Sequence, residues 1–319
     1  MELMAIMVKC MMCGERDGTI ELRYARLVLC EECFKKYFVE RVRKTVDEYK
    51  MFKPSERVAV AVSGGKDSVA LLHSLKMAYP DLDIHVIHID LGIDEYSEEA
   101  RKVTEEVSKL VNVPLHIFSL KEEKGYTIKD FIGTKYGRRI CGTCGIIKRY
   151  YMSYLAKKIG ADVLATGHLL DDVVEVMITL FVDGKFGDLI TQKPVLEPDF
   201  PNQVRKVKPL VKIYEWETRL YVDLNNLPRL TRSCPLRIGA RSIRRKEIIM
   251  RFEEQEPAFM RRLYRVFTKK LIPILEKSVE KPRLQPCKIC GGPSLTGICS
   301  KCAREVYLKD KKHLDIKIG

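Results

Sequence analysis

Tryptophan occurs once in the 319 residues, and asparagine and glutamine only four times each. Lysine, glutamate, isoleucine and valine are abundant instead, a balance that leans towards a source living at high temperature. Long apolar runs are missing as well. None approaches the roughly 20 residues of a membrane helix, so no membrane association is expected. The opening MELMAIMVKC is short, carries Glu2 and runs into Cys10, which is not the pattern of a secretory signal peptide. A cytoplasmic location follows as the expectation. Acidic charge is also in deficit: 43 Asp and Glu face 57 Lys and Arg, a formal net charge of +14. That excess favours a polyanionic partner, nucleic acid first, with a merely solvated basic surface as the plain alternative.

Cysteine is what the chain has in plenty. Eleven in a cytosolic protein call for metal or catalytic roles before disulfides, although intracellular proteins of hyperthermophiles weaken that exclusion. Cys10, Cys13, Cys30 and Cys33 read C-x2-C-x16-C-x2-C, and Cys287, Cys290, Cys299 and Cys302 read C-x2-C-x8-C-x2-C. Each CxxC turn aims two thiolates at one ion, and two turns complete a tetrahedron. Two Zn2+ ions are expected there, in structural roles, because four protein ligands leave no open position. A module of about 30 residues buries too little core to stand without such a staple. Cys141, Cys144 and Cys234 remain. The stretch CGTCGIIKR (141–149) sits just ahead of a helical pattern and carries a basic pair. By residue type alone it fits a disulfide, a redox dithiol, half of a zinc site or part of a cluster site.

Between the two cysteine sets, strands and helices alternate. FKKYFVERVRKTVDEYK (34–50) reads as an amphipathic connecting helix. RVAVAV (57–62), DIHVIHID (83–90), PLHIFSL (114–120) and DVLATG (162–167) read as buried strands, each followed by a helix. SEEARKVTEEVSKL is a helix opened by Ser97. The helix after the cysteine pair runs from 145 to 159. His85 and His88, on opposite sides of their strand, are expected to be satisfied core histidines. The pattern predicts an α/β fold, a parallel sheet with helices on both faces. After about 230 the texture turns basic: LRIGARSIRRKEIIMR holds six Lys or Arg in sixteen residues. Pro282 and Pro286 bound a linker into the last cysteine module. Four units follow: 1–50, 51–228, 229–281 and 282–319.

SGGKDS (63–68) lies between a hydrophobic strand and a helix. Gly64 and Gly65 let backbone approach an anion, and the helix start offers free N–H groups. Ser63 and Ser68 add hydroxyls, Lys66 adds charge, and Asp67 is placed to meet Mg2+. The Walker pattern GxxxxGK[ST] does not fit.

This strand–SGGKDS–helix unit resembles the PP-loop family of ATP pyrophosphatases, whose loop reads SGGxDS. The resemblance implies an adenine nucleotide alpha-hydrolase-like fold, ATP as substrate and transfer of AMP. It also implies that Asp90, at the end of HVIHID, contacts nucleotide or metal. TGHLLDDVVE (166–175) resembles the TGHNxDD segment of the tRNA-modifying branch, matching at Gly167, His168, Asp171 and Asp172 and departing at Leu169. The CxxC with its basic pair, a distant third cysteine and ribbons of four cysteines at both ends resemble the TtuA-type tRNA 2-thiouridine synthetases. That likeness implies that Cys141, Cys144 and Cys234 bind a 4Fe–4S cluster and that Lys148 and Asp172 serve catalysis. It further implies tRNA as substrate, a T-loop uridine over a wobble one, a ubiquitin-like sulfur-carrier protein as donor and a homodimer. Three thiolates on four irons leave one iron free for exogenous sulfide. The competing readings are a Cys141–Cys144 disulfide with a persulfide on Cys234, a zinc site with a fourth ligand, a small-molecule ATP pyrophosphatase, and a zinc-ribbon RNA-binding scaffold.

Overall fold

The computed structural model describes residues 8–237, 241–280 and 283–318, with side chains from 244 onwards in the basic helix. Pro282, the opening residues 1–7 and residues 238–240 of the basic segment lie outside the described residues. The chain begins with an antiparallel hairpin, β1 (Ile20–Leu22) and β2 (Leu27–Leu29), followed by α1 (Glu31–Tyr49). Then come β3 (Val58–Ala61), α2 (Lys66–Ala78), β4 (Ile84–Asp90), α3 (Asp94–Leu110), β5 (Leu115–Ser119) and the short α4 (Leu120–Lys124). The long α5 (Ile140–Lys158) leads into β6 (Val163–Ala165), α6 (Leu170–Val182), α7 (Phe186–Ile190), β7 (Val195–Leu196), β8 (Arg205–Val207) and α8 (Glu215–Leu224). Helices α9 (Arg241–Gln255), α10 (Phe259–Val266) and α11 (Ile272–Ser278) precede a second small hairpin, β9 (Gln285–Pro286) and β10 (Pro293–Ser294), and α12 (Ser300–Lys312).

The central sheet has six strands in the order β5-β4-β3-β6-β8-β7, all parallel except β7, which runs antiparallel to β8. Four of these strands are the apolar runs of the sequence. The other two give no strand signal: β7, VL, is only two residues long, and β8, RKV, is three residues without an apolar run. The strand period of two sorts the core. Val58, Val60, Val86 and Val163 face one side with α1, α2 and α8, while Ala59, Ile87 and Leu164 face the other with Ile147, Tyr151 and Leu155 of α5.

Two helix starts differ from the sequence pattern. Helix α3 begins at Asp94, and the Oγ of Ser97 accepts the Ile93 N–H at 2.9 Å from inside the first turn. Helix α5 begins at Ile140, so Cys141 and Cys144 belong to its first turns and do not precede it. The hydroxyl of Thr143, donating to the Tyr136 carbonyl at 3.0 Å, holds this early start. The strand histidines find partners: His88 is buried with Nδ1 2.9 Å from the Val62 carbonyl, and His85 lies 2.9 Å from His116.

Two buried polar knots tie outer elements to this core. Arg41 of α1 is held by Glu217 of α8 and by the Lys212 carbonyl. Glu305 of α12 accepts from Tyr126 at 2.8 Å and Tyr151 at 2.5 Å, and pairs with the equally buried Lys301 at 2.9 Å. Removing one partner of a buried pair strands the other charge, at a cost of about 3–5 kcal/mol. Glu305→Ala is therefore expected to lower unfolding stability by about that amount in denaturant titrations. A loss below about 1 kcal/mol would show that Lys301 does not depend on it.

Candidate active site

The loop after β3 turns at Gly64, whose φ is +78°, into Gly65, the residue capping α2. A Cβ on Gly64 would stand 3.1 Å from the Cα and carbonyl oxygen of Ala100 and 3.2 Å from a Leu230 methyl, so the site takes glycine on both counts. Ser68 Oγ accepts the Ser63 N–H at 3.1 Å and donates to the Gly65 carbonyl at 2.9 Å, closing the loop on itself. Lys66 lies 3.0 Å from Asp67 and 2.9 Å from Glu215. Burial works against the Lys66 charge, but Asp67 and Glu215 outweigh it and hold the ammonium above its usual range. Burial pushes the Asp67 carboxyl up against the pull of Lys66, and Asp172 and Glu215 add to the push. Its Oδ1 is buried with no hydrogen-bond partner. That oxygen has only the Lys66 ammonium beside it, at 3.0 Å, and a carboxylate so placed among other carboxylates at a phosphate-type loop fits a divalent cation such as Mg2+.

The segment after β6 packs directly on this loop. A Cβ on Gly167 would come 3.0 Å from the Asp67 carbonyl oxygen and 3.2 Å from the Ser68 nitrogen. Asp171 and Asp172 open α6. Asp171 is buried, accepts the Glu215 N–H at 2.8 Å and is pushed by burial up to about 7. Asp172 pairs with Lys246 of α9, which also lies 3.6 Å from Glu215. Leu169, the departure from the motif, is buried in the main core and caps α6 without a side-chain hydrogen bond. The His168 ring is open to solvent by area yet sits deep in the cleft, 2.8 Å from the Thr166 hydroxyl. Burial, then Lys208, then Lys148 and Arg149 push it down to about 4 against the pull of Asp172, so it is neutral at pH 7. Burial alone pushes Lys208 down to about 8. Asp90 spends one carboxylate oxygen on the Gly92 N–H, 2.9 Å away, at the tip of β4.

The thiols come to this cleft from two directions. The Leu230 N–H donates to the Gly64 carbonyl at 2.8 Å, the Thr231 N–H and hydroxyl bind Glu99 at 3.1 and 3.0 Å, and Arg232 pairs with Glu95 and Glu99. These bonds pin the segment that carries Cys234. Cys141 Sγ lies 3.7 Å from the Leu236 carbonyl of the same segment. Burial pushes the Cys144 thiol up, Lys148 pulls it down, and Cys234 and Cys141 push it up again, so the charges of Lys148 and of both other cysteines are felt at Cys144. Among the described residues, the thiols gathered closely enough to share one ion are the two terminal foursomes, and the trio is spread wider. Single-ion zinc sites need short Zn–S bonds of about 2.3 Å to four ligands. The wider set of three fits a larger polynuclear group. No cysteine is in a disulfide.

In each foursome all four sulfurs lie within 4.8 Å of one another. Backbone N–H groups of Cys299 and Cys302 point at Cys287 Sγ and Cys299 Sγ, at 3.3 and 3.4 Å. This donor set fits Zn2+. Glu215, Lys246, Lys208 and Glu99 join the site without any motif to announce them. They are single residues on α8, on α9, just after β8 and on α3, and only the fold gathers them.

A family model described as a PP-loop domain matches residues 35–228. The tRNA-5-methyluridine(54) 2-sulfurtransferase of Thermotoga maritima is 34% identical over 306 residues, covering 96% of this chain and 99% of its own. Its counterpart from Pyrococcus horikoshii is 35% identical over 313 residues, covering 98% and 97%. Among solved structures, the U34-tRNA thiolase NcsA of Methanococcus maripaludis, described with its 4Fe–4S cluster, superposes with a TM-score of 0.80 at 26% identity, covering 95% of this chain and 97% of that one.

Two outcomes follow from the cleft. Gly167→Ala forces the two loops apart and should weaken ATP binding about tenfold or more, or ~1.4 kcal/mol, by calorimetry. Wild-type affinity would refute the close-approach argument. For Asp171 the sign is that of a raised carboxyl. Without nucleotide, its contribution to stability is full below about pH 4 and is lost as pH rises through about 7, at up to ~1.4 kcal/mol per unit. Asp171→Asn should flatten the urea midpoint between pH 4.5 and 7.5, and an unchanged slope would contradict the burial effect.

Proposed function

This chain belongs to the PP-loop family of the tRNA 2-sulfurtransferases, and from that premise we propose that it converts a tRNA uridine to 2-thiouridine at the expense of ATP. The observation that carries the reading is the Leu230–Gly64 bond, through which the nucleotide loop and the segment bearing Cys234 share one cleft. The target proposed is the T-loop uridine at position 54, supported by two relatives of that name at 34% and 35% identity over nearly full length.

In the proposed reaction, ATP lies with its phosphates on the Ser63–Ser68 loop and the first N–H groups of α2. The uridine O2 attacks the α-phosphorus, the phosphoanhydride bond breaks, and pyrophosphate leaves. A sulfur nucleophile then adds at C2, the C2–O bond breaks, and AMP departs with its electron pair. Asp67 would hold Mg2+, which supplies charge neutralisation on the phosphates. A 4Fe–4S cluster on Cys141, Cys144 and Cys234 would supply an iron without a protein ligand, where sulfide is retained. Lys148, one helical turn from Cys144, stabilises negative charge developing on the C2 oxygen. His168, held neutral, leaves that position free of a competing cation. Asp172 can take a proton or a metal once Lys246 moves to phosphate. The uridine must be splayed out of its loop to reach this cleft. The same proposal takes a ubiquitin-like carrier with a C-terminal thiocarboxylate as sulfur donor, a homodimer as the working form, two structural Zn2+ ions and a cytoplasmic location.

Anaerobically reconstituted protein is expected to hold about four irons and about two zincs per chain. Cys141→Ala, Cys144→Ala and Cys234→Ala should each lose the iron alone, together with 2-thiouridine formation followed by mass spectrometry of tRNA nucleosides. Thiolation with two zincs and no iron would replace the cluster by a persulfide on Cys234. Sulfur found at position 34 in place of 54 would move the target to the wobble base.

A further inference from the structure

A cavity of about 670 Å³ lies between α5, the loop before β8 and the C-terminal ribbon, away from the nucleotide loop. That volume is in the range of a nucleotide-sized ligand site. Its walls carry Arg149, Lys157, Lys158 and Lys206, with no carboxylate. Among the described residues none of these four cations has an ion-pair partner, whereas Lys66 and Lys246 of the ATP cleft pair with carboxylates and Lys301 of the same cavity wall pairs with Glu305. Burial, with Arg149 beside it, pushes Lys206 down, the mark of cations crowded together without an anion.

The same cavity has an aromatic wall and two unsatisfied polar atoms. Tyr150 and Tyr154 lie one turn apart on α5 with ring planes 10° apart and centroids 6.5 Å apart. Tyr154 is one of the exposed large side chains, at 38%. Ser153 Oγ and Asn202 Oδ1 are buried and lack any hydrogen-bond partner. An aromatic face, a hydroxyl, an amide oxygen and a ring of unpaired cations form a set that matches a nucleotide: base on the ring, polar edge on the oxygens, phosphates on the cations. Arg149 gives the cavity its address. It lines the wall at the cavity's end nearest the start of α5, with its guanidinium 3.1 Å from where a Cβ on Gly145 would stand.

We propose that this cavity holds a nucleotide of the substrate RNA that lies away from the reacting uridine, with its base on Tyr154 and its phosphates on Lys157 and Lys158, so that the RNA is anchored along α5 while its target base reaches the cleft at the start of that helix. The inference rests on the tRNA reading above and deepens it. An acidic protein tail would use the cations but leave the tyrosine face and the acceptor oxygens without a purpose, which favours RNA.

The test is binding of a fluorescein-labelled tRNA transcript, read by anisotropy over a salt series. Stacking is worth about 1–3 kcal/mol per base, so Tyr154→Ala should weaken binding about tenfold or more, and Tyr154→Phe should restore it. The double variant Lys157→Glu, Lys158→Glu should bind more weakly still, with the log–log salt slope reduced by about one to two. All three residues are exposed, and an unchanged thermal midpoint excludes misfolding as the cause. Binding within about twofold of wild type in both Tyr154→Ala and the lysine double variant overturns the proposal. So does loss of carrier-protein binding with tRNA binding intact, which would assign the cavity to the carrier's tail. Thiolation is scored separately. A wild type that binds tRNA without thiolating it defeats the proposed function, while the binding series still decides the cavity.

Discussion

The site depends on one close approach of backbone to backbone. Strands β3 and β6 are neighbours in the sheet although the chain visits β4, β5 and α5 between them. Their helices therefore leave in different directions, and a crevice opens at the carboxyl edge, where open parallel sheets bind ligands. The loop after β3 and the segment after β6 fill its floor, touching at Gly167 over the Asp67 carbonyl. Both helix starts, α2 with Lys66 and Asp67 and α6 with Asp171 and Asp172, are set by that contact. The Leu230 N–H then takes the Gly64 carbonyl, a bond available only because Gly64 turns with positive φ and leaves room for Leu230.

Electrostatics in the cleft are balanced, not simply positive, despite the excess of basic residues along the chain. Asp67, Asp172 and Glu215 share Lys66 and Lys246, so the carboxylates are held apart from free solution and the lysines are held in place. Arrival of a triphosphate with its cation would exchange partners: lysines to phosphate, carboxylates to metal. Asp171 plays a different part, since its buried carboxyl accepts the Glu215 N–H and locks α8 against α6.

Much of this was legible in the sequence because it rests on local chemistry. The four apolar strands, SGGKDS, the paired aspartates and the CxxC pairs each carry their signal within ten residues. What was not legible is what tertiary packing decides. Strand β8, RKV, has no apolar run of its own and exists because β6 offers it a parallel edge. The start of α5 at Ile140 depends on the Thr143 bond to Tyr136, outside the helical pattern. Glu215, Lys246 and Lys208 are ordinary charged residues until the fold brings them to the cleft. The stretch 229–237 is marked in the sequence by Cys234 alone, and its hold on the site comes from three hydrogen bonds, two of them donated by backbone N–H groups, that no local pattern announces.

The place of α5 explains why a chain with an ordinary nucleotide fold carries a cysteine module at its far end. The first turns of α5 hold Cys141, Cys144 and Lys148. Its next turns hold Tyr150, whose hydroxyl is turned to Cys290 of the last module, and Tyr151, bonded to Glu305 of α12. Lys301, next to Cys302, lies over the Tyr150 ring at 4.2 Å. The helix that presents two thiols is therefore clamped on one face by the sheet core and on the other by the C-terminal module. A helix end carrying exposed thiols would otherwise fray, because its first turn leaves N–H groups unpaired and Arg139 supplies no side-chain cap. Burying the middle of the helix against a module whose four sulfurs lie within 4.8 Å of one another fixes the angle of its start without adding bulk near the cleft. That leaves the approach to the thiols open while their spacing stays rigid, which is what a site that must admit a macromolecular substrate requires.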